Sequence, residues 1–328
     1  MSTTTTTAPS SSSSATDGMH IRQIHPTYAC EITGVDLSQP LSREDFNRIR
    51  DALHHYGVVV IAHANLLDDR AHVEFSRLFG DVERSKWRSP HMRPLPYDEI
   101  FDISNLDENG YIVTTTNEKR ITAIRGNALW HADGSFNPRR TYVSMLRAVE
   151  LPPAGTGGET EFADARKAYE DLPQETKDRI KDLVAVHSFL HNRQTANPDS
   201  ALFKGRNVLD EPLARHKLVP IHEQSGRPML YVTAYAHHIE GMPIEEGQKL
   251  LKELMAHATQ HKYVFCHEWK GNGDAVIWDN TAVLHRATPG AYEGKYRRDM
   301  RRTCVMDSSK DAYGLNNPED AKNQRNSS

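Results

Sequence analysis

The spacing of apolar side chains changes period several times along this chain, and each change marks an element. Ser42, followed three residues later by Asp45 and then by Phe46, Ile49 and Leu53, reads as a capping box opening a helix over 43–55, with Tyr56-Gly57 to end it. The next run, Val58-Val59-Val60-Ile61, is short, continuous and β-branched, as in a strand covered on both faces. A second helix is predicted over 68–78, where Val73, Phe75 and Leu78 are apolar and Gly80 supplies the stop. Beyond Trp130, β-formers cluster at 141–149, 218–221, 229–233, 263–268, 275–278 and 302–306, so sheet is expected to dominate the later core. Two helical patterns interrupt it. One covers 164–172, followed by Pro173 and a shorter piece through Leu183; the other covers 243–258, with Ile244, Leu250, Leu251, Leu254 and Met255 at helical spacing behind Pro243. The polar, weakly periodic stretch 191–215 is predicted as a long loop, and loops of that length in a domain commonly act as lids or binding segments.

Residues 1–18 are almost entirely Ser, Thr, Ala and Pro and are predicted to be a disordered tail, since nothing in them offsets the entropy of ordering. The first arginine is Arg22, which argues against a transit peptide. A polar C-terminal tail is expected over 311–328, leaving one mainly β domain with flanking helices over 19–310. The hydrophobic fraction of 38% and charged fraction of 26% exclude a collagen, a coiled coil and a wholly disordered chain. With 40 Lys+Arg against 44 Asp+Glu the chain lacks the basic surface that nucleic acid needs, so any anionic partner must be met locally. Cys30, Cys266 and Cys304 are odd in number and far apart, which suits reduced thiols and a cytoplasmic protein. The early apolar run 58–62 is too short for a bilayer or a secretion signal. Self-association into a homo-oligomer stays open, because no interface can be read from the pattern.

Among 18 histidines only a spacing with a chemical reason counts. His131 and Asp133 are two residues apart, so on extended chain both side chains point to one face and reach one ion. A third imidazole, for which His285 is the candidate, completes the two-His-one-carboxylate facial set that leaves positions open on Fe(II) in non-haem oxygenases. Downstream of His285, the segment 294–303 carries Arg297, Arg298, Arg301 and Arg302. Arg298 and Arg302 are four apart, and arginine is the side chain that grips carboxylates in bidentate fashion.

Four motifs, WHADGSF at 130–136, GGETEFAD at 157–164, WDNTAVLHRA at 278–287 and RRDMRRT at 297–303, resemble those of Fe(II)/2-oxoglutarate dioxygenases of the taurine dioxygenase and 2,4-dichlorophenoxyacetate dioxygenase type. The likeness runs from about residue 20 to 307, and its later segments look closer to the dichlorophenoxyacetate branch. It implies a double-stranded β-helix (jelly roll, cupin-like) core, with His131, Asp133 and His285 binding iron. It further implies that Arg298, helped by the Thr160 hydroxyl, pairs with the distal carboxylate of 2-oxoglutarate, and that Arg302 holds an anionic group of the primary substrate. If the alignment slips by one residue, Arg297 and Arg301 become that pair. Asn127 sits where relatives place a substrate contact, and Lys86 and Arg88 lie in a loop that serves as part of the lid.

The activity so implied consumes O2 and 2-oxoglutarate, releases succinate and CO2, and hydroxylates a small anionic molecule such as an aryloxy or other carboxylic acid. Hydroxylation beside an ether oxygen or an amine nitrogen then collapses to cleavage. The alternatives are a taurine-like sulfonate dioxygenase, a zinc-dependent hydrolase, and a non-catalytic anion-binding jelly roll. His187 and His191 lack the glutamate of an HExxH pattern and are read as a chance spacing. His237 and His238, adjacent on a predicted strand edge, are expected to face opposite sides.

Overall fold

The computed structural model describes residues 18–62, 64–66, 68–84, 93–113 and 117–319. Its strands are β1 (His20–Gln23), β2 (Cys30–Thr33), β3 (Val58–Ile61), β4 (Phe101–Asp102), β5 (Thr141–Glu150), β6 (Thr160–Asp164), β7 (Val184–Ser188), β8 (Leu213–Lys217), β9 (Ala236–Ile239), β10 (Val264–His267), β11 (Ala275–Asp279), β12 (Val283–Ala287) and β13 (Asp299–Met306). The helices are α1 (Arg43–Tyr56), α2 (Asp69–Arg77), α3 (Glu118–Asn127), α4 (Ala165–Glu170), α5 (Gln174–Ile180), α6 (Phe189–Ala196) and α7 (Ile244–Ala258). The arrangement is mainly β with flanking helices. No helix among the described residues is long and apolar enough to cross a membrane.

The capping box forms as the sequence implies. Ser42 Oγ accepts from the Asp45 backbone N–H at 3.0 Å and donates to the Asp45 carboxylate at 2.8 Å, and Gly57 closes α1 with φ 75°. Seven strands then form one sheet in the order β1-β2-β3-β11-β5-β13-β4. Alternation along these strands serves both faces. Val59, Ile61, Met145, Ala275 and Ile277 meet Ile49 and Leu53 of α1 and Phe75 of α2. Val58, Val60, Leu146, Val276 and Trp278 turn the other way, onto Phe162 of β6 and Val283 of β12. The β10-β6-β12 sheet thus covers the inner face of the large one. A third sheet, β8-β7-β9, packs with Leu250, Leu251 and Leu254 of α7.

Two expectations need correction. Leu218, Val219 and the run 229–233 are buried but are not in strands, and Ile221 is exposed; the ladders form on either side, in β8 and β9, and Ile221 and Pro228 make an isolated bridge. Apolar residues reported burial there, and the pairing was decided by β7. The predicted loop 191–215 contains most of α6, a 3₁₀ turn at Val208–Asp210 and the first three residues of β8. Its weak periodicity arises because only Leu190 and Asn192 of α6 are buried. The polar stretch from 311 is fastened to the body: Arg140 donates its backbone N–H to Ala312 at 3.0 Å, and Asn316 Nδ2 donates to the carbonyls of Arg215 at 3.0 Å and Pro138 at 3.2 Å.

Several buried imidazoles are held neutral by the fold. Burial before all else lowers His72 to about 3, His216 to about 4 and His267 to about 4. Unfolded, each titrates near 6.5 and takes up a proton below that value, so the stability they contribute is complete above pH 6.5 and is lost as pH falls toward 4. Thermal unfolding midpoints are therefore expected to drop steadily between pH 6.5 and 4; a flat profile over that interval would contradict this reading.

Candidate active site

His131 lies in a single bridge that splices it to β12. Its backbone N–H donates to the His285 carbonyl at 2.9 Å, and the His285 N–H donates back to the His131 carbonyl at 2.8 Å. This fixes the two imidazoles side by side, with ring centroids 4.2 Å apart. The chain then turns at Asp133, returning the carboxylate to within 3.8 Å of His131 Nε2 and 3.6 Å of His285 Nε2. One ligand atom from each of the three residues lies within 4.8 Å of the others, and all three side chains are buried.

The protonation pattern suits a cation. His131 Nδ1 lies 2.6 Å from the Leu129 carbonyl; donating to it places the proton on Nδ1 and leaves the Nε2 lone pair free toward the centre. Burial lowers His131, and burial together with the His131 ring holds His285 well below the usual imidazole range, so both are neutral ligands. Among the described residues neither ring nitrogen of His285 has a protein hydrogen-bond partner. Burial opposes ionisation of Asp133, but Arg302, His285, His131 and Ser144 outweigh it and keep the carboxyl below its ordinary range. Two neutral imidazoles and one carboxylate in a buried facial cluster fit a divalent first-row metal such as Fe(II).

Groups absent from the sequence reading orient these ligands. Ser144 Oγ donates to Asp133 Oδ2 at 2.7 Å, and Asn280 Nδ2 donates to Ser144 Oγ at 2.9 Å. Asn280 Oδ1 accepts from the Asp133 backbone N–H at 2.9 Å and from Trp278 Nε1 at 3.2 Å. The WDN motif thus supports the carboxylate from behind. Sequence offered a signal only for Asn280, which lies inside a quoted motif, whereas Ser144 is an inconspicuous strand residue. Replacing Ser144 with alanine is expected to weaken metal affinity about 10- to 100-fold while 2-oxoglutarate affinity stays as in wild type, as titration with Fe(II) or Mn(II) would show.

A cavity opens beside the triad, lined by Ile103, Asn127, His131, Leu146, Thr160, Trp278, His285, Ala287, Arg298 and Arg302. Strand register explains the lining. Thr160 pairs with Ala287 and Phe162 with His285, and Arg302 pairs with Leu146, so these side chains point into the space between the sheets. Arg298 is buried; its Nε donates to the Gly158 carbonyl at 3.1 Å and its Nη2 has no acceptor among the described residues. Thr160 Oγ1 accepts from Trp269 Nε1 at 3.2 Å. Arg302 Nη1 stands 2.7 Å from Asp133 Oδ1. Arg297 and Arg301 are engaged elsewhere, Arg297 with Glu150 at 2.7 Å and Arg301 with Asp69 and Asp299, each at 3.1 Å. Asn127 reaches the cavity from the last residue of α3, a helix the sequence reading did not predict. Lys86 and Arg88 lie outside the described residues.

The sequence pattern of the taurine catabolism dioxygenase TauD, TfdA family matches residues 20–304. The chain belongs to this family. Among its TauD/TfdA relatives is the alpha-ketoglutarate-dependent 2,4-dichlorophenoxyacetate dioxygenase of a Burkholderia species, 36% identical over 285 residues that cover 86% of this chain and 93% of the relative. The (S)-phenoxypropionate/alpha-ketoglutarate-dioxygenase of Sphingobium herbicidovorans is 31% identical, covering 82% of this chain and 89% of that protein. The crystal structure of AAD-2 in complex with Mn(II) and N-oxalylglycine superposes with a TM-score of 0.78 at 32% identity, covering 89% of this chain and 98% of that one.

Proposed function

We propose that this chain is an Fe(II)- and 2-oxoglutarate-dependent dioxygenase that hydroxylates a small aryloxy or related carboxylic acid. The observation that carries the reading is the buried His131–Asp133–His285 set opening onto a cavity in which Arg298 presents a donor without an acceptor. When bound, Fe(II) with 2-oxoglutarate and O2 supplies an oxidant for a C–H bond, the cosubstrate leaving as succinate and CO2. His131, Asp133 and His285 hold the metal. Arg298 takes the distal carboxylate of 2-oxoglutarate beside the Thr160 hydroxyl, and burial strengthens that charge-assisted pair. Ile103, Leu146, Trp278 and Ala287 give the cavity an apolar wall that excludes water. The seven-stranded sheet and the β10-β6-β12 sheet facing it are read as the two halves of a double-stranded β-helix. Residues 19–310 act as one catalytic unit, and Cys30, Cys266 and Cys304 as the reduced thiols of a cytoplasmic enzyme.

Succinate formation with phenoxyacetate-type substrates should require Fe(II), 2-oxoglutarate and O2 together. Parallel reactions with sulfonates separate the competing substrate class, since a guanidinium accommodates either anion. Turnover with zinc in the absence of O2 would overturn the oxygenase reading.

A further inference from the structure

Thr160, at the start of β6, is buried and lines the cavity, and its hydroxyl has two acceptor lone pairs but a single proton. One lone pair is already taken, by Trp269 Nε1 at 3.2 Å. An indole nitrogen only donates, so in this bond Thr160 Oγ1 accepts and its own proton is left over. No protein group accepts that proton among the described residues. Arg298, which lines the same cavity, likewise has an Nη2 without an acceptor among the described residues. Two donors of one buried space are thus left for a ligand that brings acceptors, as a carboxylate does.

The fold holds the indole in place from both sides. Trp269 follows β10, where His267 is paired with Thr160. His267 and Trp269 meet edge-on, with ring centroids 4.7 Å apart and planes at 81°. The indole also packs on the apolar cluster that contains Phe162, Trp278 and Met300. Beyond it the chain turns, and one carboxylate oxygen of Asp274 accepts from the backbone N–H groups of Lys270 at 3.2 Å and Gly271 at 2.9 Å. That turn is tied to β5: Gly273 donates its N–H to the Ala148 carbonyl at 2.8 Å, and the Ala148 N–H donates to the Asp274 carbonyl at 3.0 Å. The position of Trp269 Nε1 is therefore set by two sheets and a closed turn, whereas the Thr160 hydroxyl can rotate unless something fixes it.

We infer that Trp269 is a positioning residue for the cosubstrate. By occupying a lone pair of Thr160 Oγ1 it holds the hydroxyl as a donor directed at the distal carboxylate of 2-oxoglutarate, so that this group is ordered before the ligand arrives. Accepting the indole bond also polarises the hydroxyl and makes it a stronger donor. The inference rests on the function proposed above, which places that carboxylate at Arg298 and Thr160.

The test titrates wild type, Trp269→Phe, Thr160→Val and the double variant, each loaded with Fe(II) under anaerobic conditions. The ligands are 2-oxoglutarate and 2-oxopentanoate, in which a methyl replaces the distal carboxylate, and Kd is read from the visible charge-transfer absorption of the chelate. Trp269→Phe is expected to raise Kd for 2-oxoglutarate about 3- to 10-fold, the effect of one neutral hydrogen bond, and Thr160→Val about 10-fold or more, because its bond goes to a charged group. Kd for 2-oxopentanoate should stay as in wild type in Trp269→Phe. Added to Thr160→Val, Trp269→Phe should change nothing further, since no hydroxyl remains to be held. A wild-type Kd for 2-oxoglutarate in Trp269→Phe overturns the inference. So does a weakening shared equally by both oxo acids, which would make the indole a packing residue, and so does further weakening when Trp269→Phe is added to Thr160→Val. If wild type gives no absorption with 2-oxoglutarate, the proposed function itself fails and the inference with it.

Discussion

Replacing Asp133 with alanine is expected to take succinate formation below detection, a loss of roughly a thousandfold or more, since metal-ion catalysis vanishes with the ligand. The change removes the only carboxylate in the buried His–Asp–His set, and two imidazoles alone hold a ferrous ion weakly. A second effect accompanies it. Arg302, whose Nη1 is 2.7 Å from Asp133 Oδ1, is left as a buried charge without that partner, and breaking a buried pair costs about 3–5 kcal/mol. Thermal unfolding of the metal-free variant should therefore shift downward. Asp133→Ala combined with Arg302→Met separates the two effects: stability should recover while activity does not. Activity retained in Asp133→Ala would sink the metal assignment.

Arg298→Gln is expected to raise KM for 2-oxoglutarate by about 100-fold or more, because truncating a buried charge partner costs roughly 2–5 kcal/mol. The guanidinium is held in place: its backbone N–H donates to Asn105 Oδ1 at 2.8 Å and its Nε to Gly158 at 3.1 Å, and Gly158, at φ +90, keeps the approach open, since a Cβ there would stand 3.0 Å from Arg298 Nε. Fe(II) affinity should change little, because Arg298 makes no contact with His131, Asp133 or His285. Lysine should rescue only in part, as a point charge cannot reproduce the planar fork. Arg297→Gln is the internal control: its partner Glu150 is exposed, and surface pairs contribute about 0–1 kcal/mol. A similar KM increase in both variants would refute the assignment of Arg298.

Much of the site was legible because the reaction needs particular atoms at a fixed local spacing. His131 and Asp133 announce themselves two residues apart, and the run from Arg297 to Arg302 announces cations. Which pair of arginines faces inward was not local information. Strand alternation in β13 puts Arg302 opposite Leu146 inside and sends Arg301 to Asp69 outside, a choice made by pairing with β5. The adjacent histidines show the limit of alternation from sequence. His187 pairs with Ala236 and Val186 with His238, so His237 is an extra residue at a bulge, and the two Nδ1 atoms meet at 2.9 Å instead of facing apart.

By itself the sequence determined that the chain buries β-branched runs in sheets capped by amphipathic helices, and that two imidazoles, one carboxylate and a pair of arginines are present in a recognisable order. These follow from periodicity and short-range chemistry, which neighbouring residues carry without help. Only the tertiary structure decided that His285 lies beside His131 and that Ser144 and Asn280 hold the carboxylate. Those relations join residues far apart in the chain, and they are fixed by strand register and helix contact, which no local pattern encodes.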